Sequence, residues 1–295
     1  MHRLRLAVVG PGRVGQGLAR GWAEAGVSLL GFVGRDEAAC RAAVAEVGHG
    51  RPLQPGDLGQ ANVVVFAVGD SDLPAAVTAC AAALPDRRPG LWLHTSGMHD
   101  LSVLAPLAGS SVRLGALHPV LPFPDPQSAR PQFEGRPAVL LGEPQVQRLL
   151  RRLVQPLGMR PLSGQAGDRT LYHAACAIAA NGLTALRSVV DRVLAESSVL
   201  DREGAATLAD ELMSAALDAC RRLGARDALS GPIVRGDSQT VSAHRQALEG
   251  GGLGVDGVYR GLMSEALRLA GQRGLDDGAV AELMRVLAAP NDSSS

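Results

Sequence analysis

Short apolar runs separated by helical periodicities fill the first half of the chain. The runs fall at 3–9, 28–33, 62–68, 91–95, 112–117 and 137–141. Patterns with apolar residues three and four apart lie between several of them, at 13–25, 36–47 and 71–83, and another follows at 143–156. Continuous apolar strands alternating with helices predict an α/β fold, a mostly parallel sheet covered on both faces. The stretch 118–127 (H-P-V-L-P-F-P-D-P-Q) breaks the pattern. Its prolines exclude a helix interior or a central strand, so it is expected to be a loop.

Beyond Gly164 the period changes. Residues 168–195 read as one long helix, apolar nearly all round in its middle, which predicts a buried central helix. Further helices are expected at about 204–223, 238–248, 256–272 and 276–288. The expected division is an α/β domain over 1–164 and an all-helical domain over 165–295, with the polar tail N-D-S-S-S frayed at its end.

The first strand runs straight into Gly10-Pro11-Gly12-Arg13-Val14-Gly15, and a helical pattern follows at once. This is G-x-G-x-x-G in the strand–turn–helix context that makes the motif a dinucleotide fingerprint and the domain Rossmann-like. Gly10 permits the tight turn, Gly12 lets backbone approach a pyrophosphate, and Gly15 lets helix and strand pack closely. The helix N-terminus offers unpaired N–H groups and a positive dipole end to the phosphates.

The second strand ends Val33-Gly34-Arg35-Asp36, and Arg35 lies 20 residues after Gly15. An acidic residue there would bind the ribose of NAD, whereas arginine accommodates the 2′-phosphate of NADP. NADP is therefore the expected cofactor. Asp36 is left to cap the next helix or to reach the ribose. Ala67 and Val68 end the strand 62–68, and their backbone is expected beside the nicotinamide ribose. Thr95 and the following Ser96 lie where the strand 91–95 ends and are candidates for the nicotinamide, since ligands gather at strand C-termini. They are equally well read as a polar turn.

Composition narrows the chemistry. The 295 residues carry 29 basic and 29 acidic side chains, so no global basic field invites nucleic acid or an anionic membrane. No apolar run approaches the ~20 residues of a membrane span. No signal-peptide pattern precedes the first strand, and a cytoplasmic location is expected. Cys40, Cys80, Cys176 and Cys220 lie far apart in Ala-rich helical stretches, which suits small buried hydrophobes in a reducing compartment rather than disulfides or metal. The histidines and cysteines show no ligand spacing, so no metal is expected. All 29 lysine-or-arginine positions are arginine. Schiff-base chemistry and a lysine proton donor are thereby excluded, and any proton must come from His, Tyr, Asp, Glu, Cys or water.

An ordered set of short motifs completes the picture: G-P-G-R-V-G at Gly10–Gly15, H-T-S-G at His94–Gly97, His118-Pro119, L-Y-H-A-A at Leu171–Ala175 with Asn181, and G-P-I-V-R-G-D at Gly231–Asp237. The set resembles the 6-phosphogluconate-dehydrogenase-like superfamily, which includes pyrroline-5-carboxylate reductase, prephenate dehydrogenase, 3-hydroxyisobutyrate dehydrogenase and ketopantoate reductase. It is most similar to a bacterial family of Rossmann-like proteins whose C-terminal helical domain is of unknown function. The resemblance implies an NADP-dependent reductase fold and a homodimer formed through the helical domain. The chain departs from the hydroxyacid and ketopantoate members, which place a lysine and an asparagine one turn apart on the long helix. Here Asn181 has only His173 before it, about 12 Å of rise and about 80° of rotation away, so the two cannot grip one atom.

Hydride transfer asks the protein to orient the reacting carbon and to handle one proton. His118, at the start of the proline loop, is the first candidate donor. It resembles the His-Pro of prephenate dehydrogenases, or else it merely orders the loop. His173 is the second candidate, or a satisfied helix histidine. Tyr172 is expected on a different face, His94 inside the sheet, and His2, His49, His99 and His244 on surfaces or loops. Arg235 is a candidate carboxylate clamp, since arginine grips carboxylates bidentately; the turn around it equally well serves to let Asp237 or Ser238 cap a helix. Asn181 would orient substrate or carboxamide. The expected function is NADPH-dependent reduction of a small carboxylate-bearing carbonyl compound, for which ketopantoate is the specific candidate. Reduction of a cyclic imine such as pyrroline-5-carboxylate, and a non-catalytic NADP-binding sensor or partner module, are the alternatives.

Overall fold

In the computed structural model the described residues are 4–84, 90–123 and 133–289. His2, the end of the proline stretch and the C-terminal tail lie outside them. The chain divides into two compact units, residues 1–180 and 181–295. The first therefore takes in the start of the long helix, beyond the expected domain boundary near 164.

The first unit holds eight strands: β1 (Arg5–Val9), β2 (Ser28–Val33), β3 (Arg51–Leu53), β4 (Val63–Phe66), β5 (Leu91–His94), β6 (Arg113–Pro119), β7 (Pro137–Leu141) and β8 (Arg160–Ser163). They form one sheet in the order β3-β2-β1-β4-β5-β6-β7-β8. Every pairing is parallel except β6 with β7. β3 and β8 escape the sequence reading because both are short and carry a proline. The helices are α1 (Arg13–Glu24), α2 (Glu37–Val47), α3 (Leu73–Ala83), α4 (Pro144–Val154) and α5 (Arg169–Ala177).

Alternation along the strands builds two cores. Leu6, Val8, Val63, Val65, Leu91 and Leu93 point to one face, where Leu18 and Trp22 of α1, Ala43 of α2 and Leu150 of α4 cover them. Ala7, Val9, Val64, Phe66 and Trp92 point to the other, under Leu73 and Val77 of α3. Both tryptophans are fully buried, and Trp22 donates its indole N–H to the Leu153 carbonyl at 2.7 Å. Gly31 makes the β2–β3 contact possible: it has φ +142, and an added Cβ would overlap the Arg51 carbonyl. The chain leaves β1 toward β2 and β3, then returns to place β4 on β1's other side. The switch point thus falls between the C-terminal ends of β1 and β4, where such sheets bind ligands.

The second unit is helical. A π-turn (Ile178–Gly182) carries the long helix of the sequence reading from α5 into α6 (Leu183–Ser197). There follow α7 (Arg202–Leu223), the short α8 (Ala225–Ala228), α9 (Ser238–Gly250), α10 (Asp256–Gln272) and α11 (Asp277–Ala288). Aspartates start three of them, with Asp201, Asp237 and Asp276 accepting from the backbone of Gly204, Thr240 and Ala279. Ile233, Val241, Leu267 and Leu283 form its core. Arg245 lies at that core's edge. It donates to Asp256 through Nε (3.0 Å) and Nη2 (3.2 Å), to Glu249 (2.8 Å), and to the Val286 and Ala289 carbonyls at the end of α11.

Three expectations are corrected. His118 and Pro119, expected to open the proline loop, instead close β6, where they pair with Val139 and Ala138 of β7. The long helix is not sealed within the chain: Leu171 is 68% exposed and Ile178 74%, and α6 has no buried residue. Its apolar character marks a face that none of the described residues covers. Among the cysteines only Cys40 and Cys80 are buried, whereas Cys176 is half-buried and Cys220 exposed, because the helices that carry them present those positions outward.

Candidate active site

The fingerprint folds at the switch point. Gly10 has φ +111, and a Cβ there would overlap the Ala67 carbonyl and sit 2.8 Å from Val68 Cγ1. Only glycine lets the turn after β1 press against the end of β4. A Cβ on Gly15 would overlap the Gly10 carbonyl, so α1 can lie this close only with glycine at that position. Gly12 differs. It has an ordinary φ of −81, and a Cβ there would meet nothing within 4 Å. Nothing in the fold requires glycine at position 12; open space in front of it suits a bulky ligand. Gly12 is also the N-cap of α1, no side chain caps the helix, and no acidic residue lies in its first turn. Pyrophosphate charge and free helix N–H groups fit each other here.

A cavity of about 560 Å³ opens in front of this turn, lined among others by Gly10, Pro11, Gly12, Arg35, Val68 and Asp72. Val14 is half-buried on α1, while Arg13 is exposed. Arg35 is 88% exposed and approaches Asp72 at 3.4 Å, a long, solvated pair that leaves the guanidinium available. Asp36 spends its carboxylate on capping α2 at the Ala38 N–H, 2.8 Å away.

The hydroxyls of Thr95 and Ser96 point inward. Thr95 Oγ1 reaches the Phe66 carbonyl at 3.3 Å. Ser96 Oγ donates to Asp70 at 2.6 Å and accepts from the Met98 and His99 N–H groups, both at 3.0 Å. The serine hydroxyl thus shapes the loop after β5.

Beside that loop stands a cluster from three parts of the first unit. His118, near the end of β6, shares a 2.7 Å hydrogen bond between Nδ1 and the Tyr172 hydroxyl of α5. His173 approaches the same imidazole edge-on, with ring centroids 6.3 Å apart. The guanidinium of Arg169 lies over the Tyr172 ring, 4.4 Å from its centroid. Gly97 packs under both imidazoles: a Cβ there would fall 2.8 Å from His118 Nε2 and 2.9 Å from His173 Cδ2. His118 Nε2 has no hydrogen-bond partner among the described residues, whereas both ring nitrogens of His94 are sealed and unpaired.

Burial, with the positive charge of Arg169 next, lowers the pKa of His118 to about 4. Burial does the same to His94, also to about 4. His118 is therefore a neutral imidazole near pH 7. The unfolded chain binds both protons near the ordinary value of 6.5. Stability from these groups is fully present above pH 6.5 and is lost as pH falls from 6.5 to about 4, at up to roughly 1.4 kcal/mol per unit for each histidine. The urea midpoint of the first unit should drop sharply between pH 6.5 and 4.5. Equal midpoints at both would contradict the burial of these imidazoles.

Tyr172 and Arg169 are the residues sequence reasoning missed. Adjacent helix positions differ by about 100°, so Tyr172 and His173 are expected on different faces. Both nevertheless reach His118, because its ring stands between them. In the second unit, Asn181 lies within the π-turn. Arg235 is exposed on the loop before α9, with no ion-pair partner among the described residues, while Asp237 on the same loop caps that helix.

Residues 1–119 match the Rossmann-like domain family, and residues 137–266 match the family described as Domain of unknown function (DUF2520). No curated protein matches the sequence. Among solved structures, the chain resembles a Bacteroides fragilis protein described as a candidate NADP oxidoreductase. That match has a TM-score of 0.71 at 16% identity, over 92% of this chain and 98% of that one. It also resembles an imine reductase of Myxococcus stipitatus solved with NADP+ (TM-score 0.65, 14% identity, 95% and 99% covered). A 1-pyrroline-5-carboxylate reductase of Streptococcus pyogenes follows (TM-score 0.61, 12% identity, 91% and 98% covered). At these identities the likeness is one of fold. The two family matches stand in tandem and span most of the sequence, so the chain carries a Rossmann-like domain followed by a DUF2520 domain.

Proposed function

We propose that the protein is an NADPH-dependent reductase of a small carboxylate-bearing carbonyl compound, with a 2-oxo acid such as ketopantoate as the specific candidate. One observation carries the reading: the open space before Gly12 at an uncapped helix N-terminus, with Arg35 on the rim of the same cavity. NADPH, when bound, supplies the hydride. The chain holds the pyrophosphate on the Gly10–Gly15 turn and the 2′-phosphate on Arg35, and it directs a proton through His118, whose Nε2 has no hydrogen-bond partner among the described residues. His173 is the second candidate donor. Arg235 is the candidate carboxylate clamp, and Asn181 orients substrate or carboxamide.

Reduction of a C=N bond is the second reading, favoured by the likeness to an imine reductase and a pyrroline-5-carboxylate reductase. An iminium carries its proton already and asks less of His118. Among the described residues no helix is long and apolar enough to cross a membrane. A cytoplasmic homodimer through the helical unit belongs to the same proposal. The exposed Leu208, Leu212, Leu217 and Leu223 of α7 support it, and sedimentation is the check.

The test is NADPH consumption with ketopantoate and, separately, with pyrroline-5-carboxylate. Turnover of the first supports carbonyl reduction, and turnover of the imine alone moves the assignment to the second reading. NADPH binding without either reaction favours a non-catalytic module. Arg35→Ala should weaken NADPH binding by about 10- to 100-fold, the worth of one charge-assisted contact, and leave NADH binding unchanged. Equal losses for both cofactors would remove Arg35 from 2′-phosphate recognition.

A further inference from the structure

His118 is neutral, and a neutral donor has a difficulty that its neighbours address. An imidazole that gives up its only N–H proton becomes an imidazolate, a species too basic to form near pH 7 unless the other nitrogen gains a proton in the same step. The group on that other nitrogen is the Tyr172 hydroxyl, at 2.7 Å from Nδ1. Behind the tyrosine lies Arg169, 91% buried by its 9% exposure, with its Nε sealed and unpaired. Arg169 has no ion-pair partner among the described residues; its guanidinium rests on the phenol ring and donates to the Ser96 carbonyl at 3.4 Å. A buried cation without a carboxylate is costly, and it favours any negative charge that forms beside it. The arginine is placed to stabilise charge on the phenol oxygen through the ring.

We propose that Tyr172 acts through His118 as a positioning and proton-supplying residue, with its hydroxyl donating to Nδ1 so that Nε2 carries the hydrogen. This rests on the reductase reading for its chemical step. As hydride reaches the substrate carbon, the C=O electron pair moves to oxygen. A new O–H bond forms there as the Nε2–H bond of His118 breaks. An Nδ1–H bond forms as the O–H bond of Tyr172 breaks, leaving a phenolate under Arg169. Solvent returns that proton after product leaves, so the balance is one hydride and one proton consumed. Gly97 keeps the space at Nε2 clear. Arg169, His173 and Asp70 are the charged or titratable groups that act on His118 from the surrounding elements. Cys176, one turn from Tyr172, joins burial in holding the phenol protonated in the resting protein.

The first arm of the test needs no substrate. Two-bond ¹⁵N–¹H correlation spectra of the full chain, labelled at histidine, report which ring nitrogen of His118 is protonated at pH 7; His118→Gln assigns the signal. The expected result is the Nε2–H tautomer, with the Nδ1 resonance moving downfield in Tyr172→Phe as its donor is lost. The Nδ1–H tautomer, with the tyrosine as acceptor, would overturn the proposal. The second arm is turnover of NADPH with ketopantoate or pyrroline-5-carboxylate. Tyr172→Phe should lower kcat by about 100-fold with KM for NADPH unchanged. An unchanged kcat, or a loss confined to KM, would also overturn it. Silence of the parent protein with both substrates would instead count against the reductase reading and leave the tautomer result to decide the hydrogen bond.

Discussion

The Gly12→Ala variant should fold as well as the parent protein and bind NADPH at least about 100-fold more weakly. The two halves of this expectation have separate physical grounds. Position 12 has φ −81, which alanine adopts without strain, and the added methyl meets no protein atom within 4 Å. Apoprotein stability should therefore fall by no more than about 1 kcal/mol, the cost of alanine against glycine at a helix N-cap. The same methyl occupies the space a pyrophosphate must enter to reach the N-terminus of α1. Displacing a charged group by about 1 Å from several N–H donors forfeits roughly 3 kcal/mol, or about two powers of ten. Gly10→Ala is the contrasting case. It is strained at φ +111 and collides with the end of β4, so stability and binding should fall together, the former by about 2–4 kcal/mol. Thermal melting without ligand and NADPH titration separate the two variants. Undiminished NADPH affinity in Gly12→Ala would place the cofactor elsewhere.

Asp256→Ala should destabilise the helical unit by about 3–5 kcal/mol, the usual effect of removing one partner from a buried ion pair. The carboxylate takes a bidentate grip from Arg245, both side chains being only 7% exposed, and Arg260 approaches it at 2.9 Å. Removing it strands Arg245 among Glu249 and two carbonyls at the end of α11, so the damage should spread to that helix terminus. Asp256→Asn keeps the shape and loses only the charge, and it should lie between the two. For a unit of this size the melting temperature should fall by roughly 10 °C or more. A change under 2 °C would mean that the network contributes little.

How far the sequence could be read follows from what each feature depends on. The β1–α1 turn was legible because glycines at 10 and 15 answer a local geometric demand. Helix starts in the second unit were legible for the same reason, since aspartate at an N-cap is a local signal. The unit boundary was less so: a π-turn inside a continuous helix leaves no break in composition at 180–181. The apolar middle of the long helix was read correctly as apolar and wrongly as buried in its own chain, because a sequence records what a surface is and not what meets it. The link of Tyr172 to His118 joins residues 54 apart across two elements. No periodicity on α5 encodes that contact; only the folded sheet, which brings the C-terminal end of β6 to α5, supplies it.

Trp22 and Trp92, packed on opposite faces of the sheet, are the chain's only tryptophans. Both lie in the first unit, so intrinsic fluorescence is blind to the second. Helical ellipticity at 222 nm, by contrast, comes largely from α6 to α11. The protein is thereby colour-coded without labels. An emission maximum moving to the red reports the opening of the sheet, and ellipticity lost at constant emission reports the helices alone. Asp256→Ala should give its signal in the second channel first, whereas Gly10→Ala should give it in the first.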